Sequence, residues 1–223
     1  MARQLRLSLG GPTSYAPDAF VRGAANAAAR QALESWPAWH GGCLALIGPE
    51  GVGKTHLGRI WAAANGAVAL DRSSPDISAA AGRPVLLEDV DQGIADEALF
   101  HLINLAAREG GGLLLTARTP PATWPAALPD LRSRLKAMPV AEIEPPDDVV
   151  LEGVLRKFFR ERSIRPPKEV YAYLLRRIER SVPQAREIVR RLDEGVDGEA
   201  RPISRLLARE VLEEDDQNLD LFE

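Results

Sequence analysis

The chain has 223 residues, 45% of them hydrophobic and 27% charged. That is the composition of a globular protein with a core of ordinary size, enough for one large domain or a medium domain with a smaller companion. The net charge of −4 argues against a protein whose main task is to grip nucleic acid, because a phosphate backbone rewards a basic surface. The single cysteine, Cys43, excludes a disulfide framework within the chain and any cysteine-based metal site. His40, His56 and His101 show no ligand spacing. No signal-peptide pattern and no run of 18 apolar residues is present, so the expected location is cytoplasmic, with no membrane contact.

Residues 1–17 read as a polar tail. Within it, Gln4-Leu5-Arg6-Leu7-Ser8-Leu9 alternates, placing Leu5, Leu7 and Leu9 on one side of an extended segment. Taken alone, that pattern fits an edge strand or a short peptide that docks in another protein's groove. Asp18 can cap a helix running to about Ser35, which Trp36-Pro37 ends. Cys43 to Ile47 is an apolar run of the length of a buried parallel strand.

Next comes Gly48-Pro49-Glu50-Gly51-Val52-Gly53-Lys54-Thr55, which fits the phosphate-loop pattern G-x-x-x-x-G-K-[ST] and is followed by a helical stretch from His56. Glycines let backbone N–H groups turn inward around phosphates, and the helix N-terminus adds partial positive charge. Lys54 can reach the β- and γ-phosphates, and the Thr55 hydroxyl can ligate Mg²⁺.

Ala67 to Leu70 reads as a second short strand and 71–82 as a loop. Pro84-Val85-Leu86-Leu87-Glu88-Asp89 is a strand that ends in two acids, the form that holds Mg²⁺ and orients an attacking water beside a phosphate loop. A helix over Asp96 to Arg108 follows. The next strand, Leu113 to Thr116, ends in a hydroxyl that can touch the γ-phosphate or bond its own turn. Asp130 to Leu135 predicts a short helix carrying Arg132 and Arg134, and Ala137 to Ile143 the last strand. Beyond Pro145-Pro146 the periodicity is helical, with helices starting at Asp147 or Asp148, after Pro166-Pro167, at Ser181, and at Pro202 or Ser204. The expected organisation is a tail (1–17), an α/β nucleotide-binding domain (18–146), a helical lid (147–212) and an acidic tail (213–223). The last carries a second apolar alternation at Leu219, Leu221 and Phe222.

This order resembles an AAA+ ATPase: a P-loop α/β domain with a central parallel sheet and then a small helical lid. In detail it resembles the AAA+ module of the DnaA family of bacterial replication initiators and its shorter Hda branch. Gly53-Lys54-Thr55-His56-Leu57 is similar to that family's phosphate loop. Thr116-Ala117-Arg118-Thr119-Pro120-Pro121 resembles its sensor 1 region. Leu131-Arg132-Ser133-Arg134-Leu135 resembles its arginine-finger segment, and Ile143-Glu144-Pro145-Pro146-Asp147 its lid entry. Phe20, Val21, Arg22, Gly23 and Asn26 resemble the stretch that packs on the adenine. Gln4 to Leu9 matches the Gln-Leu-x-Leu-x-Leu clamp-binding peptide of the Hda branch, and Asn218 to Phe222 resembles a second such peptide. A helix-turn-helix domain of DnaA type has no room in 223 residues, so sequence-specific DNA binding is not expected.

The resemblance implies bound ADP or ATP with Mg²⁺, and catalytic groups at Glu88, Asp89, Thr116 and Arg134. It implies the polymerase sliding clamp and DnaA as partners, with a homodimer as a further assembly. The function implied is negative regulation of replication initiation by stimulating hydrolysis of DnaA-bound ATP, with little turnover of its own. The alternative is an autonomous AAA+ ATPase that loads or remodels a replication factor. Three departures stand out. Glu88 takes a position where the family has Asp. Pro183 falls where a sensor 2 arginine is expected, leaving Arg186 one turn later as the substitute. Only 33 residues separate Lys54 from Glu88.

Overall fold

In the computed structural model, residues 15–108, 111–197 and 202–219 are described. They fall into two compact units, one from Tyr15 to Pro145 and one from Pro146 onward.

The first unit is built on five parallel strands: β1 (Cys43–Ile47), β2 (Val68–Leu70), β3 (Pro84–Leu87), β4 (Gly112–Ala117) and β5 (Val140–Glu142). Their order across the sheet is β2-β3-β4-β1-β5. The three central strands are buried along their whole length, which is why they read as continuous apolar runs and not as alternations. Side chains still alternate across the sheet. Ala45, Ile47, Val85, Leu87, Leu113 and Leu115 pack on one face with Leu99, Leu102 and Ile103 of α3 (Asp96–Ala106) and Leu131 and Leu135 of α4 (Pro129–Ala137). Leu44, Leu46, Leu86 and Leu114 pack on the other with α1 (Ala27–Glu34) and α2 (Lys54–Asn65). There Trp61 of α2 stacks on Trp39, ring centroids 5.1 Å apart, and meets Trp36 edge-on.

The expected helix from Asp18 to Ser35 is corrected. Only Ala27–Glu34 is α-helical; before it stand one-turn 3-10 segments at Pro17–Ala19 and Ala24–Asn26, joined by extended chain. Gly23 is extended (φ −160°). The Asn26 side chain, 2% exposed, accepts from the Gly23 N–H and donates to the Val21 carbonyl. A buried amide that satisfies a loop's backbone competes with the helix for the same groups.

The second unit holds α5 (Asp148–Glu161), α6 (Lys168–Leu174), α7 (Val182–Asp197) and α8 (Arg205–Leu219). Asp147 caps α5 by accepting from the Val150 N–H at 2.8 Å. Phe158, Phe159, Leu155, Tyr171, Leu174, Ile188, Val189 and Leu192 form its interior. Helix α8 runs to Leu219, so the segment from 213 read as a tail is helical up to that residue. Gln4, Leu5, Leu7, Leu9, Leu221 and Phe222 lie outside the described residues, as does the side chain of Leu219. No helix among the described residues is long and apolar enough to cross a membrane.

Cys43 opens β1 inside the core, where burial pushes its thiol up to about 12. A thiolate is the reactive form, so at pH 8 the native protein should resist a thiol-specific reagent while urea-unfolded protein takes up one equivalent. Fast labelling of the native protein, followed by absorbance, would contradict the packing at the start of β1.

Candidate functional site

Parallel pairing brings three strand ends to one edge of the sheet. Ile47 of β1 pairs with Ala117 of β4, and Leu87 of β3 with Leu115. The residues that follow Ile47 and Leu87, together with Thr116 and Arg118, therefore gather at the carboxyl ends of the strands, where ligands of open α/β sheets bind.

The loop that leaves β1 requires glycine at two positions. A Cβ on Gly48 (φ +147°) would lie 2.4 Å from the Ile143 carbonyl oxygen. A Cβ on Gly53 (φ +106°) would lie 2.9 Å from Cε2 of Phe20. The second contact places Phe20 directly on the loop, with its ring also edge-on to His56 at 5.3 Å. Nε2 of His56 is 3.1 Å from the Ala16 carbonyl oxygen. Val21 is half-buried beside them. Val52 packs under the loop, its Cγ2 facing Gly48.

Helix α2 starts at Lys54 with no side-chain cap at Gly53, so its first N–H groups point out of the loop as an anion site does. Thr55 is half-buried in its first turn. Lys54 is 7% exposed, and its ammonium donates to the Gly48 and Pro49 carbonyls, each at 2.7 Å. Burial holds the ammonium below the ordinary lysine value; Asp89 pulls it back up, Arg118 adds to the lowering, and Asp91 and Glu50 pull up again. These four charged groups are the ones that face Lys54.

Thr116 is fully buried. Its hydroxyl oxygen accepts from the Asp89 N–H at 3.0 Å, fixing the turn after β3, where Asp89 adopts a left-handed conformation (φ 53°). Glu88 and Asp89 part company here. Glu88 continues the parity of Pro84 and Leu86 toward α2, and its Oε2 accepts from Arg59 Nε at 3.0 Å. Asp89 belongs to the field of Lys54.

Asp91 joins the site and was missed in the sequence. One of its oxygens accepts from the Arg118 N–H at 2.8 Å; the other, Oδ1, is buried with no hydrogen-bond partner, as is Oε1 of Glu88. The spacing Asp89-Val90-Asp91 was the available signal. Arg118, named in the sequence only as part of the stretch from Thr116 to Pro121, pairs its guanidinium with Glu50 of the loop at 2.8 Å.

Among the described residues, no contact brings Arg134 to this cluster. Arg134 is exposed on α4, its guanidinium 5.1 Å from the centre of the Phe100 ring. It borders a cavity of about 150 Å³ with Cys43, His40 and Met138, at the amino end of β1. Arg186, on α7, stacks on Phe158 at 4.4 Å.

No protein-family model matches the chain. DnaA of Thermomicrobium roseum is 29% identical over 120 residues, covering 54% of this chain and 26% of that protein. The structure of domain III of Thermotoga maritima DnaA superposes with a TM-score of 0.72 at 20% identity, covering 91% of this chain and 97% of that one. The chain is DnaA-related. Its fold is the AAA+ fold. AMPPCP-bound DnaA from Aquifex aeolicus superposes with a TM-score of 0.62 at 20% identity, covering 80% of this chain and 66% of that one. The chain spans about a quarter of the length of the curated DnaA proteins it matches.

The contact between Gly53 and Phe20 yields a prediction for this DnaA-related chain. Gly53→Ala should cost about 1–3 kcal/mol, combining backbone strain and the collision with the ring. In a Phe20→Ala background the same substitution should cost less. A double-mutant cycle by urea denaturation measures the difference; equal costs would assign the whole penalty to φ.

Proposed function

We propose that this chain binds ADP or ATP in the loop from Gly48 to Thr55 and acts as a negative regulator of replication initiation that stimulates ATP hydrolysis by DnaA. Nucleotide binding is supported by the uncapped start of α2 and by the buried Lys54 ammonium, which is positioned to exchange two loop carbonyls for phosphate oxygens. Phe20, set against Gly53, with Val21 beside it, would form one wall for the adenine.

The donor set fits Mg²⁺. Thr55 offers a hydroxyl, Asp89 lies in the same field as Lys54, and Asp91 has a buried oxygen with no partner. Mg²⁺ keeps several waters and takes one or two carboxylates together with phosphate oxygens. Thr55 with Asp89 and Asp91 would hold it, and the ion would neutralise charge on the phosphates. Glu88, engaged by Arg59, would instead steady α2 against β3.

The observation that carries the regulatory reading is the position of Arg134. It lies at the start of β1, while the phosphate loop leaves its end. The four steps from Cys43 to Ile47 of β1, at roughly 3.3 Å each, put about 13 Å between them. An exposed arginine so far from its own loop is suited to a neighbour's nucleotide. An arginine supplied in trans stabilises charge on the transferring phosphoryl group, contributing about 10³–10⁵ in rate. On this reading Gln4 to Leu9 anchors the chain to the sliding clamp, with Leu219 to Phe222 as a second contact, and Arg134 faces the ATP of DnaA.

The deciding experiment measures ATP turnover by DnaA on clamp-loaded DNA with and without this protein, against the protein's own turnover. Stimulation that is lost in Arg134→Ala, with nucleotide and clamp affinity unchanged, is the expected result. Robust turnover by the protein alone with no effect on DnaA would replace the regulator with an autonomous ATPase. Lys54→Ala should abolish ADP binding by calorimetry. Gln4→Ala with Leu5→Ala should abolish clamp binding; survival of binding until Leu221→Ala and Phe222→Ala are added would move the anchor to the other terminus.

A further inference from the structure

Arg134 differs from other arginines of its unit in what holds it. Arg59 and Arg118 pair with carboxylates. Arg132, two residues earlier on α4, donates to the Ala126 carbonyl at 2.8 Å. The Arg134 guanidinium instead lies over the ring of Phe100 on α3, 5.1 Å from its centre. Acids stand nearby in both helices. Asp130 comes one turn before Arg134 on α4, at a spacing where an acid and an arginine can meet. Glu97 comes a turn before Phe100 on α3. Among the described residues, neither forms an ion pair with Arg134.

Packing fixes the ring more firmly than the arginine. Phe100 is half-buried against the cluster that holds Leu99 of α3 with Leu131 and Leu135 of α4. Arg134 is exposed, and the cavity of about 150 Å³ that it borders gives its side chain room to leave the ring. The kind of holder matters for a cation that must meet a phosphate. A carboxylate would hold the guanidinium by pairing its N–H groups and cancelling its charge, and a phosphate would then have to displace it. An aromatic ring attracts the cation through its quadrupole and neutralises nothing, so the charge and the N–H donors stay available. The ring also restricts a long side chain before the phosphate arrives. That ordering cost would otherwise fall on the encounter.

We propose that Phe100 is the positioning residue of Arg134, holding its guanidinium in place and uncompensated until a phosphate on a second protein takes it. The proposal rests on the reading of Arg134 as an arginine supplied in trans, and specifies what prepares it. What position 100 needs is then an aromatic face, not apolar volume alone.

The test follows ATP turnover by DnaA on clamp-loaded DNA at rising concentrations of the full chain, as wild type, Phe100→Tyr, Phe100→Leu and Arg134→Ala. Phe100→Leu should lower the plateau of stimulation about twofold to fivefold, the range that one cation–π contact at an exposed site allows. The half-saturating concentration should stay the same. Phe100→Tyr, which keeps the ring, should retain the plateau. An unchanged plateau in Phe100→Leu, or an equal loss in Phe100→Tyr, would overturn the role of Phe100. A residue that only supports the fold would instead shift the half-saturating concentration and leave the plateau alone. A second readout needs no partner. The Arg134 Nε–H proton, assigned by its loss in Arg134→Ala, should show a ring-current shift in the wild type and in Phe100→Tyr. An Nε–H at the position of a free arginine in the wild type would overturn the proposal whether or not Phe100→Leu folds. Stimulation that survives in Arg134→Ala would sink the reading in trans, and the role of Phe100 with it. Failure confined to the Phe100 variants leaves that reading standing.

Discussion

Burial of both faces of a parallel sheet is the constraint on which the rest of this molecule depends. β1, β3 and β4 have no solvent face, so no polar group can be carried along their length without cost. Chemistry is confined to where the strands stop. Among the described residues, the one buried hydroxyl within a strand, that of Thr116, sits one residue from the end of β4 and is satisfied by the turn after β3. Everything charged at the site, from Lys54 to Arg118, is reached by leaving the sheet at that edge.

Parity along the strands then sorts side chains that are neighbours in sequence. Glu88 and Asp89 are adjacent, yet one is engaged by α2 through Arg59 and the other lies in the field of Lys54. The same period of two sends Leu86 to the α1 and α2 face and Leu87 to the α3 and α4 face.

What was legible in the sequence was local. The glycine-rich loop, the apolar strands, the C-terminal helices and the Asp147 cap each depend on residues within a few positions of one another, and the fold follows from their order. Three features were not legible for the opposite reason. The break in the helix from Asp18 depends on Asn26 folding its side chain back on Gly23 and Val21, where helix propensity alone favours continuation. The pairing of Glu50 with Arg118 joins residues 68 positions apart (118 less 50), and only sheet register makes them neighbours. Asp91 was within reach, since a second acid two residues past a strand-end acid returns to the same side, but a 3-10 turn at Val90–Gln92 intervenes and obscures that regularity.

The distribution of tryptophan has an optical consequence. All four, at 36, 39, 61 and 124, lie in the unit from Tyr15 to Pro145, and three of them cluster around the helix that begins at the phosphate loop. The unit from Pro146 onward has none, but holds Tyr171 and Tyr173, two of the chain's three tyrosines. Excitation at the red edge of the absorption band thus sees only the α/β unit, while tyrosine bands weigh toward the helical one. The two units can be followed separately in one cuvette, with no label attached to either.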